Sequence, residues 1–285
     1  MRVRYPPEDG HKLNYRKLLR GISAVCLLTA NPLWGAELAV VIDDVGYNYA
    51  RGVRCIELPG NLTVAILPRT PHAQQLSAMA ADRGKDVIVH QPMEPYPSAH
   101  AREEDGTLKL RMSGPQFDLL VDQSLAALPQ RVGLSNHTGS LLTQHRTPMR
   151  RLMQALQQRD LFFLDSRTTA DTVALQVARE VGVPALRRDV FLDHERTTGA
   201  IDAAFQKALK LARKRGHAVL VGHPYPITLR YLEQRLVHLP EDIELVFAAQ
   251  LARRLSATQQ AQVLNRPAAP GLPATTASLH ISPAR

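Results

Sequence analysis

Hydrophobic positions along residues 37–252 fall into two alternating patterns. Short continuous apolar runs are typical of strands that are covered on both faces, as in a parallel sheet or barrel. Between these runs, apolar residues recur every three or four positions, which indicates amphipathic helices. The predicted strands are residues 38–43, 62–67, 86–90, 132–137, 161–165, 185–192, 218–223 and 243–248. The predicted helices are residues 71–83, 115–127, 147–158, 170–181, 200–215 and 227–236.

This alternation predicts an α/β fold, either a barrel or an open doubly wound sheet. Residues 91–114 interrupt the rhythm with Pro92, Pro95, Pro97 and an acidic stretch, which predicts an inserted loop with a short hairpin. From residue 256 onward Ala, Pro, Ser, Thr and Gln dominate and no apolar period survives. We therefore expect one folded domain over residues 37–255, followed by a disordered tail at residues 256–285.

The N-terminal residues have the pattern of a secretory signal peptide. Residues 12–20 are basic, residues 21–34 are mostly apolar and uncharged, and the small residues Gly35 and Ala36 follow. This order predicts a signal peptide over residues 1–36 with cleavage after Ala36, and an uncleaved N-terminal anchor is the alternative. The apolar run is shorter than the roughly 20 residues of a membrane span. Under either interpretation we expect the body of the chain in the periplasm or otherwise outside the cytoplasm. If the signal peptide is cleaved, we expect no membrane span to remain.

Composition narrows the class of protein further. With 45% hydrophobic and 21% charged residues, the 285-residue chain matches an ordinary globular protein. Its two cysteines exclude a disulfide scaffold and a thiolate zinc cage. Of the net charge of +9, a large part comes from the six lysines or arginines in residues 1–36. The body has no long basic run and aromatic residues are only 5%, so we expect no nucleic-acid partner.

Acids and histidines stand where five of the predicted strands end. In parallel α/β folds the carboxyl ends of the strands meet on one face, and ligands bind there. The bland alternative is that these residues only cap the helices that follow. The strand-end residues are Asp43 and Asp44, His90, Asn136 and His137, Asp165 and Ser166, and His223.

Carboxylate and imidazole together are the ligands of a borderline divalent metal such as zinc. A catalytic metal lowers the pKa of water to about 7 and polarises a carbonyl group, and a second carboxylate can then act as the base. Because neighbours in a chain point in different directions, Asp43 and Asp44 can divide these two tasks. The sequence contains no GxSxG nucleophile elbow, P-loop or GxGxxG motif, which weakens the competing classes of enzyme.

Seven short motifs, in order over about residues 37–252, resemble the divergent polysaccharide deacetylase family of bacterial envelope proteins. The resemblance implies an irregular (β/α)7-type barrel of the carbohydrate esterase kind. It also implies a remote relation to metal-dependent enzymes that remove N- or O-acetyl groups from polysaccharides. The motifs are VIDDVG (41–46), TPHA (70–73), VHQPMEP (89–95), SNHTGS (135–140), FLDSRT (163–168), RRDVFLD (187–193) and GHPYP (222–226).

The resemblance also implies a metal site. Asp43 corresponds to the catalytic base, Asp44 to a metal ligand and His90 to the first ligand histidine. The superfamily has a second histidine four residues later, where this chain has Glu94. His137 on the next strand is the expected replacement, which gives Asp44, His90 and His137 as ligands of a divalent cation, with zinc favoured. In an alternative alignment His137 is itself the first ligand, and Leu141 stands at the second position.

Further roles follow from the same resemblance. His223 corresponds to the general acid and Asp165 to the aspartate that orients it. The arginine that steadies the base has no clear match, with Arg167 and Arg188 as candidates. Three further residues are expected either to line the substrate cleft or merely to form turns and helix caps: Ser140, Ser166 and Tyr225.

The function expected from these observations is metal-dependent deacetylation of an acetylated envelope carbohydrate, such as a peptidoglycan-type glycan. Asp43 would deprotonate the attacking water and His223 would protonate the departing amine or alcohol. Because the second histidine is missing from its usual place, a catalytically inactive glycan- or metal-binding envelope protein is the alternative. A phosphoesterase on a similar barrel is a third hypothesis, although basic clusters are sparse at the strand ends. The sequence does not indicate an oligomeric state.

Overall fold

The computed structural model describes residues 35–97 and 104–264. The predicted signal peptide, apart from Gly35 and Ala36, lies outside the described residues, as do residues 265–285 of the predicted tail. Ala36 is the first residue of the first strand. In the described part of the chain, no helix is both long enough and apolar enough to cross a membrane.

Within residues 35–97 and 104–264, nine strands form one sheet in which every pairing is parallel. The strands are β1 (Ala36–Val45), β2 (Leu62–Ile66), β3 (Asp86–Met93), β4 (Arg131–Thr138), β5 (Phe162–Asp165), β6 (Ala185–Arg187), β7 (Val190–Phe191), β8 (His217–Gly222) and β9 (Ile243–Leu245). The helices are α1 (Tyr49–Glu57), α2 (Ala73–Asp82), α3 (Gly114–Ala127), α4 (Arg146–Gln157), α5 (Ala174–Val181), α6 (Thr198–Arg215), α7 (Pro226–Arg235) and α8 (Ala248–Leu264).

The strand order is that of a barrel with one irregular seam. Neighbouring strands follow the order β6-β5-β4-β3-β2-β1-β8-β7, and the short β9 pairs with the start of β1. β6 and β7 are two halves of one predicted strand that is interrupted at Arg188 and Asp189; the first half pairs with β5 and the second with β8. Counted as one stave, and with β9 left outside this order, they give seven staves, so the predicted irregular (β/α)7-type barrel is confirmed.

Alternate residues of each strand face the barrel interior. An inner apolar cluster contains Ala39 and Val41 of β1, Ile88 of β3, and Val219 and Val221 of β8. Residues at the start of α8 join this cluster, so the helix closes the amino-terminal end of the barrel. The intervening residues face outward into a second cluster that the surrounding helices cover. The surrounding helices thus cover the sides of the barrel and α8 covers its amino-terminal end, which leaves the carboxyl-terminal end for the polar residues.

The helix α6 shows why the sequence forms these elements. Its buried face repeats every three or four residues, from Ile201 and Phe205 to Ala208 and Ala212. The Thr197 side chain accepts a hydrogen bond from the Ala200 N–H at one end, and Gly216 takes the left-handed conformation at the other. Burying such a stripe contributes about 25 cal/mol for each Å² of apolar surface, which is how the helix is held on the sheet.

Two expectations about chain segments are corrected. Strand β3 continues through Met93, and Leu108 forms a single parallel bridge with Met93, so the described part of residues 91–114 contains no hairpin. Residues 256–264 are the continuation of α8 and not part of a disordered tail. Alanine and glutamine in this stretch favour a helix, and an exposed extension of a buried helix needs no apolar stripe.

Gly133 tests the packing of the barrel interior. A Cβ atom at Gly133 would lie 2.4 Å from the Phe162 ring and 2.8 Å from the Phe162 carbonyl oxygen, which cannot move freely. We expect Gly133→Ala to lower the free energy of unfolding by about 1–3 kcal/mol. The control is Gly199→Ala in α6, where nothing lies within 4 Å and stability should stay constant or rise by up to about 1 kcal/mol. Urea unfolding measures both, and equal midpoints would contradict the packing described.

Candidate active site and metal centre

The carboxyl-terminal end of the barrel gathers the acids and histidines that the strand ends predict. Asp43 follows Ala39 and Val41 at alternate, inward positions of β1, and His90 follows Ile88 in the same way on β3. His137 lies at the end of β4, and His223 directly follows β8. Strand alternation therefore directs these side chains into the mouth of the barrel.

An irregularity in β1 brings two adjacent carboxylates to the same place. The pairing of β1 with β2 shifts between Ile42 and Val45, and Asp44 has a φ of 59°, in the left-handed region. Neighbouring side chains of a regular strand would point to opposite faces, as the sequence analysis expected. The bulge instead lets Asp43 and Asp44 both approach His90, with carboxylate oxygens 3.7 and 3.2 Å from its Nε2 atom.

Asp44, His90 and His137 form a tight triangle of possible metal ligands. Asp44 Oδ1 lies 2.9 Å from His137 Nδ1 and 3.2 Å from His90 Nε2. The two ring nitrogens are 3.2 Å apart. Two ligands that bind one tetrahedral zinc ion at about 2.0–2.1 Å are about 3.3 Å from each other, so the spacing fits a single cation. Asp44 Oδ1 is also buried without a directed hydrogen bond, as an oxygen aimed at a common centre would be.

The outer nitrogens of the two histidines are hydrogen-bonded. His90 Nδ1 lies 2.7 Å from Ser135 Oγ, and His137 Nε2 lies 3.1 Å from Glu104 Oε1. These contacts leave His90 Nε2 and His137 Nδ1 for the triangle, which is the usual arrangement around a metal-binding histidine. Sequence reasoning missed Ser135 and Glu104, although Ser135 stands two residues before His137 at the same inward parity.

The pKa values of Asp44 and His137 depend on the contact between these two residues. Burial alone would raise the pKa of Asp44, but its contacts with His137 and His90 outweigh burial and lower that pKa. Burial alone would lower the pKa of His137, whereas Asp44 and Glu104 raise it to about 10. Asp44 and Glu104 thus favour a protonated, positively charged His137. A divalent cation would have to displace the His137 proton to bind.

Asp43 lies next to His90 of the triangle and is only 2% exposed. Burial raises its pKa, although the neighbouring histidines act in the opposite direction. Its Oδ1 atom has no hydrogen-bond partner, and Ser166 Oγ lies 3.5 Å from Oδ2. Arg188 donates hydrogen bonds to the carbonyl oxygens of Ser166 and Arg167, so it holds the turn beside Asp43. An underbonded, buried carboxylate next to a cation site suits a general base.

The carboxylate that orients His223 is Asp193, not the expected Asp165. Asp193 Oδ1 lies 2.8 Å from His223 Nδ1, and Oδ2 accepts hydrogen bonds from the His223 N–H and from Thr228. Asp165 stands at the same parity as Phe163, which faces the outer cluster, and it accepts hydrogen bonds from Arg167 N and Thr172 Oγ1. The strand-end rule would have found Asp193, since it directly follows the predicted strand 185–192.

The other expected residues differ in their distance from this centre. Ser166 contacts Asp43 as described, and the Tyr225 ring lies 5.5 Å from the His223 ring. The Tyr225 hydroxyl accepts a hydrogen bond from Arg196. Ser140 is engaged elsewhere, because its Oγ accepts the N–H of Tyr96.

Glu94 occupies the position where a second ligand histidine was missing. Its carboxylate accepts a hydrogen bond from Leu110 N at 2.7 Å, and its carbonyl oxygen accepts the N–H groups of Leu141 and Leu142. Glu94 therefore anchors surrounding loops, while His137 lies beside His90. The geometry matches the alignment in which His137 takes the place of the missing histidine.

Comparison with known proteins gives a family and close sequence relatives. Residues 40–252 match the model of the divergent polysaccharide deacetylase family. The uncharacterised protein YibQ of Escherichia coli K12 is 36% identical over 228 residues, which are 80% of this chain and 71% of the relative. An uncharacterised protein of Haemophilus influenzae is 38% identical over 232 residues, or 81% of this chain and 82% of the relative.

A solved structure shares the fold. The crystal structure of an uncharacterised protein from Agrobacterium tumefaciens C58 superimposes with a TM-score of 0.72 at 21% identity. The match covers 76% of this chain and 89% of that protein. At 21% identity this likeness shows a shared fold and nothing beyond the fold.

The exchange of Asp193 for Asp165 can be checked by titration of His223. Burial lowers the pKa of His223, whereas Asp193 raises it, and the net result is a raised pKa. In the metal-free protein we expect Asp193→Asn to lower the pKa of His223, because burial then acts with one carboxylate fewer against it.

The matched control is Asp165→Asn, which should leave the pKa of His223 unchanged. The His223 ring resonances, assigned with a His223→Gln variant, report both values in an NMR titration. A fall in the Asp165 variant and none in the Asp193 variant would reverse the assignment.

Proposed function

Since the chain belongs to the divergent polysaccharide deacetylase family, we propose that it is an exported, metal-dependent deacetylase of acetylated envelope carbohydrate. The observation that carries the proposal is the triangle of Asp44, His90 and His137, with Asp43 beside His90 and His223 beside Asp44. Such a set combines a cation site with a base and an acid, which is what hydrolysis of an acetyl group requires.

Asp44, His90 and His137 are the residues that would hold the cation, and their nitrogen and oxygen donors favour zinc among divalent ions. When bound, the ion would polarise the acetyl carbonyl and lower the pKa of water at the site. Three protein ligands are the number that a catalytic zinc site uses, since one position has to stay open for water or substrate.

Asp43 would act as the general base. Its Oδ2 atom lies 3.7 Å from His90 Nε2, so the carboxylate borders the cation site without belonging to the triangle. Burial makes this carboxylate more basic than an exposed one, as its raised pKa reflects. Asp43 would therefore take one proton from the water that attacks the acetyl carbon.

His223 would act as the general acid. Asp193 engages Nδ1, which leaves Nε2 directed at the site, 3.7 Å from Asp44 Oδ2. Burial lowers the pKa of His223, but the bond to Asp193 outweighs burial and raises that pKa, which favours the protonated ring more than in an exposed histidine. Nε2 would give its proton to the departing nitrogen or oxygen of the sugar as the bond to the acetyl group breaks. Acetate and the free amine or alcohol are the products.

Residues around the site support a carbohydrate substrate. Tyr47, three residues after Asp44, is 59% exposed, so its ring and hydroxyl are open to a sugar. Tyr225 and Ser166 border the acid and the base, respectively. The predicted signal peptide at residues 1–36 supports export, and with it an envelope or peptidoglycan-type glycan as substrate.

The cation site is tested by zinc content. We expect the protein spanning residues 37–264 to bind about one zinc ion per chain, and Asp44→Asn and His137→Ala to lose most of it, because each removes one of three ligands. His194→Ala is the control, since this exposed histidine lies near the site but outside the triangle. Elemental analysis after dialysis against zinc gives the ratio. A protein without zinc would remove the metal-dependent mechanism.

The division of labour is tested by turnover on an acetylated peptidoglycan-type glycan. Asp43→Asn and His223→Ala should each lower kcat by about 10²–10⁴-fold while zinc stays bound, because each removes a proton-transfer group and no ligand. Released acetate measures the rate. If the zinc-loaded protein binds the glycan and releases no acetate, the alternative of an inactive binding protein is correct.

A further inference from the structure

We propose that Glu104, in the segment predicted as an insertion, is a positioning residue that orients His137 and sets the strength of the cation site. The proposal rests on the metal site of the proposed function and adds a residue that lies outside the triangle. Its starting observation is the 3.1 Å contact between Glu104 Oε1 and His137 Nε2.

The direction of the contact carries the argument. The other nitrogen of His137, Nδ1, faces two groups that can accept a hydrogen bond, Asp44 Oδ1 at 2.9 Å and His90 Nε2 at 3.2 Å. Both favour a hydrogen on Nδ1, which would block a cation. A carboxylate can only accept, so Glu104 favours a hydrogen on Nε2 and leaves the Nδ1 lone pair free. Glu104 thus opposes the tautomer that would close the site.

The position of Glu104 is itself built into the loop. Its carbonyl oxygen accepts hydrogen bonds from the Thr107 hydroxyl and N–H. Two residues later, the Gly106 carbonyl oxygen accepts the amide of the buried Gln91. Between them, Asp105 forms only a surface ion pair with Arg69, with its side chain 79% exposed, so this pair adds little to the anchoring.

The contact is also partly shielded from water. The side chains of Glu104 and His137 are 27% and 17% exposed, so solvent screens their interaction less than that of a surface pair. Outer-shell carboxylates on metal-binding histidines typically change metal affinity by 10–100-fold when they are removed. The anchored loop therefore completes the cation site from outside the barrel.

The experiment compares zinc affinity in chelator competition at one pH for the unaltered protein, Glu104→Ala, Glu104→Gln and Asp105→Asn. We expect Glu104→Ala to weaken zinc binding by about 10–100-fold. Glu104→Gln should be weakened less, because its amide oxygen can still accept from His137 Nε2. Asp105→Asn removes the same charge one residue away and should stay within about twofold. Circular dichroism and thermal unfolding verify that each variant is folded.

A second measurement follows the His137 side chain directly. In the zinc-loaded protein, the Nε2 proton of His137 should give an NMR signal that exchanges slowly with water, and Glu104→Ala should broaden or remove it. A purely structural role of the loop would not reproduce the order Glu, Gln, Ala in zinc affinity together with the loss of the Nε2 proton signal in Glu104→Ala.

The outcomes separate the two proposals. Unchanged zinc affinity in Glu104→Ala would overturn the role of Glu104 and leave the metal site standing. Equal weakening in Glu104→Ala and Asp105→Asn would also overturn it, since the effect would then be long-range charge. If the unaltered protein binds no zinc, the metal site and the role of Glu104 are both wrong.

Discussion

The alternation of side chains in a closed parallel sheet is the constraint on which the rest of this structure depends. Every second residue of a stave must enter the barrel, where the lower positions are filled by apolar side chains such as Val41, Ile88 and Val221. The last inward position has no apolar layer above it. At that level the staves carry Asp43, His90, His137 and His223, so the site is the polar end of a packed core. Its precision comes from rigid strands and not from loops.

Burial at this level makes the charges interdependent. An ionised carboxylate buried alone would be strongly unfavourable, so each one needs a partner. Asp44 has His90 and His137, and Asp193 has His223 and Thr228. Asp43 is paired more weakly, with 3.7 Å between its Oδ2 and His90 Nε2 and with no hydrogen bond to its buried Oδ1. The environment thus gives three carboxylates of similar intrinsic acidity different surroundings, which is why we propose one as a ligand, one as an orienting group and one as a base.

Much of the barrel and of the site could be predicted from local sequence, because strand ends are local. Asp43, Asp44, His90, His137 and His223 all follow apolar runs. Two residues of the site were missed, for different reasons. Asp193 replaced Asp165 as the partner of His223 because the orientation of Asp165 depends on strand parity, which places it on the outer face. Glu104 was missed because its contact spans 33 residues from a segment without an apolar period.

The interruption of one stave explains how the remaining groups reach the mouth of the barrel. Between β6 and β7 the chain leaves β5 and joins β8. There Asp189 makes two hydrogen bonds with Val219: its carboxylate accepts the Val219 N–H, and its own N–H donates to the Val219 carbonyl oxygen. At the break, Arg188 donates its N–H to the Asp165 carbonyl oxygen and extends its guanidinium to the carbonyl oxygens of Ser166 and Arg167.

Arg167 has a φ of 50°, and conformations of this kind persist only where surrounding contacts fix them. The same break places Asp193 a few residues later beside His223. Leu186 of β6 belongs to the inner cluster and Val190 of β7 to the outer one, so an uninterrupted strand of alternating side chains would turn Asp193 away from the barrel mouth. The irregular seam is therefore part of the architecture of the site.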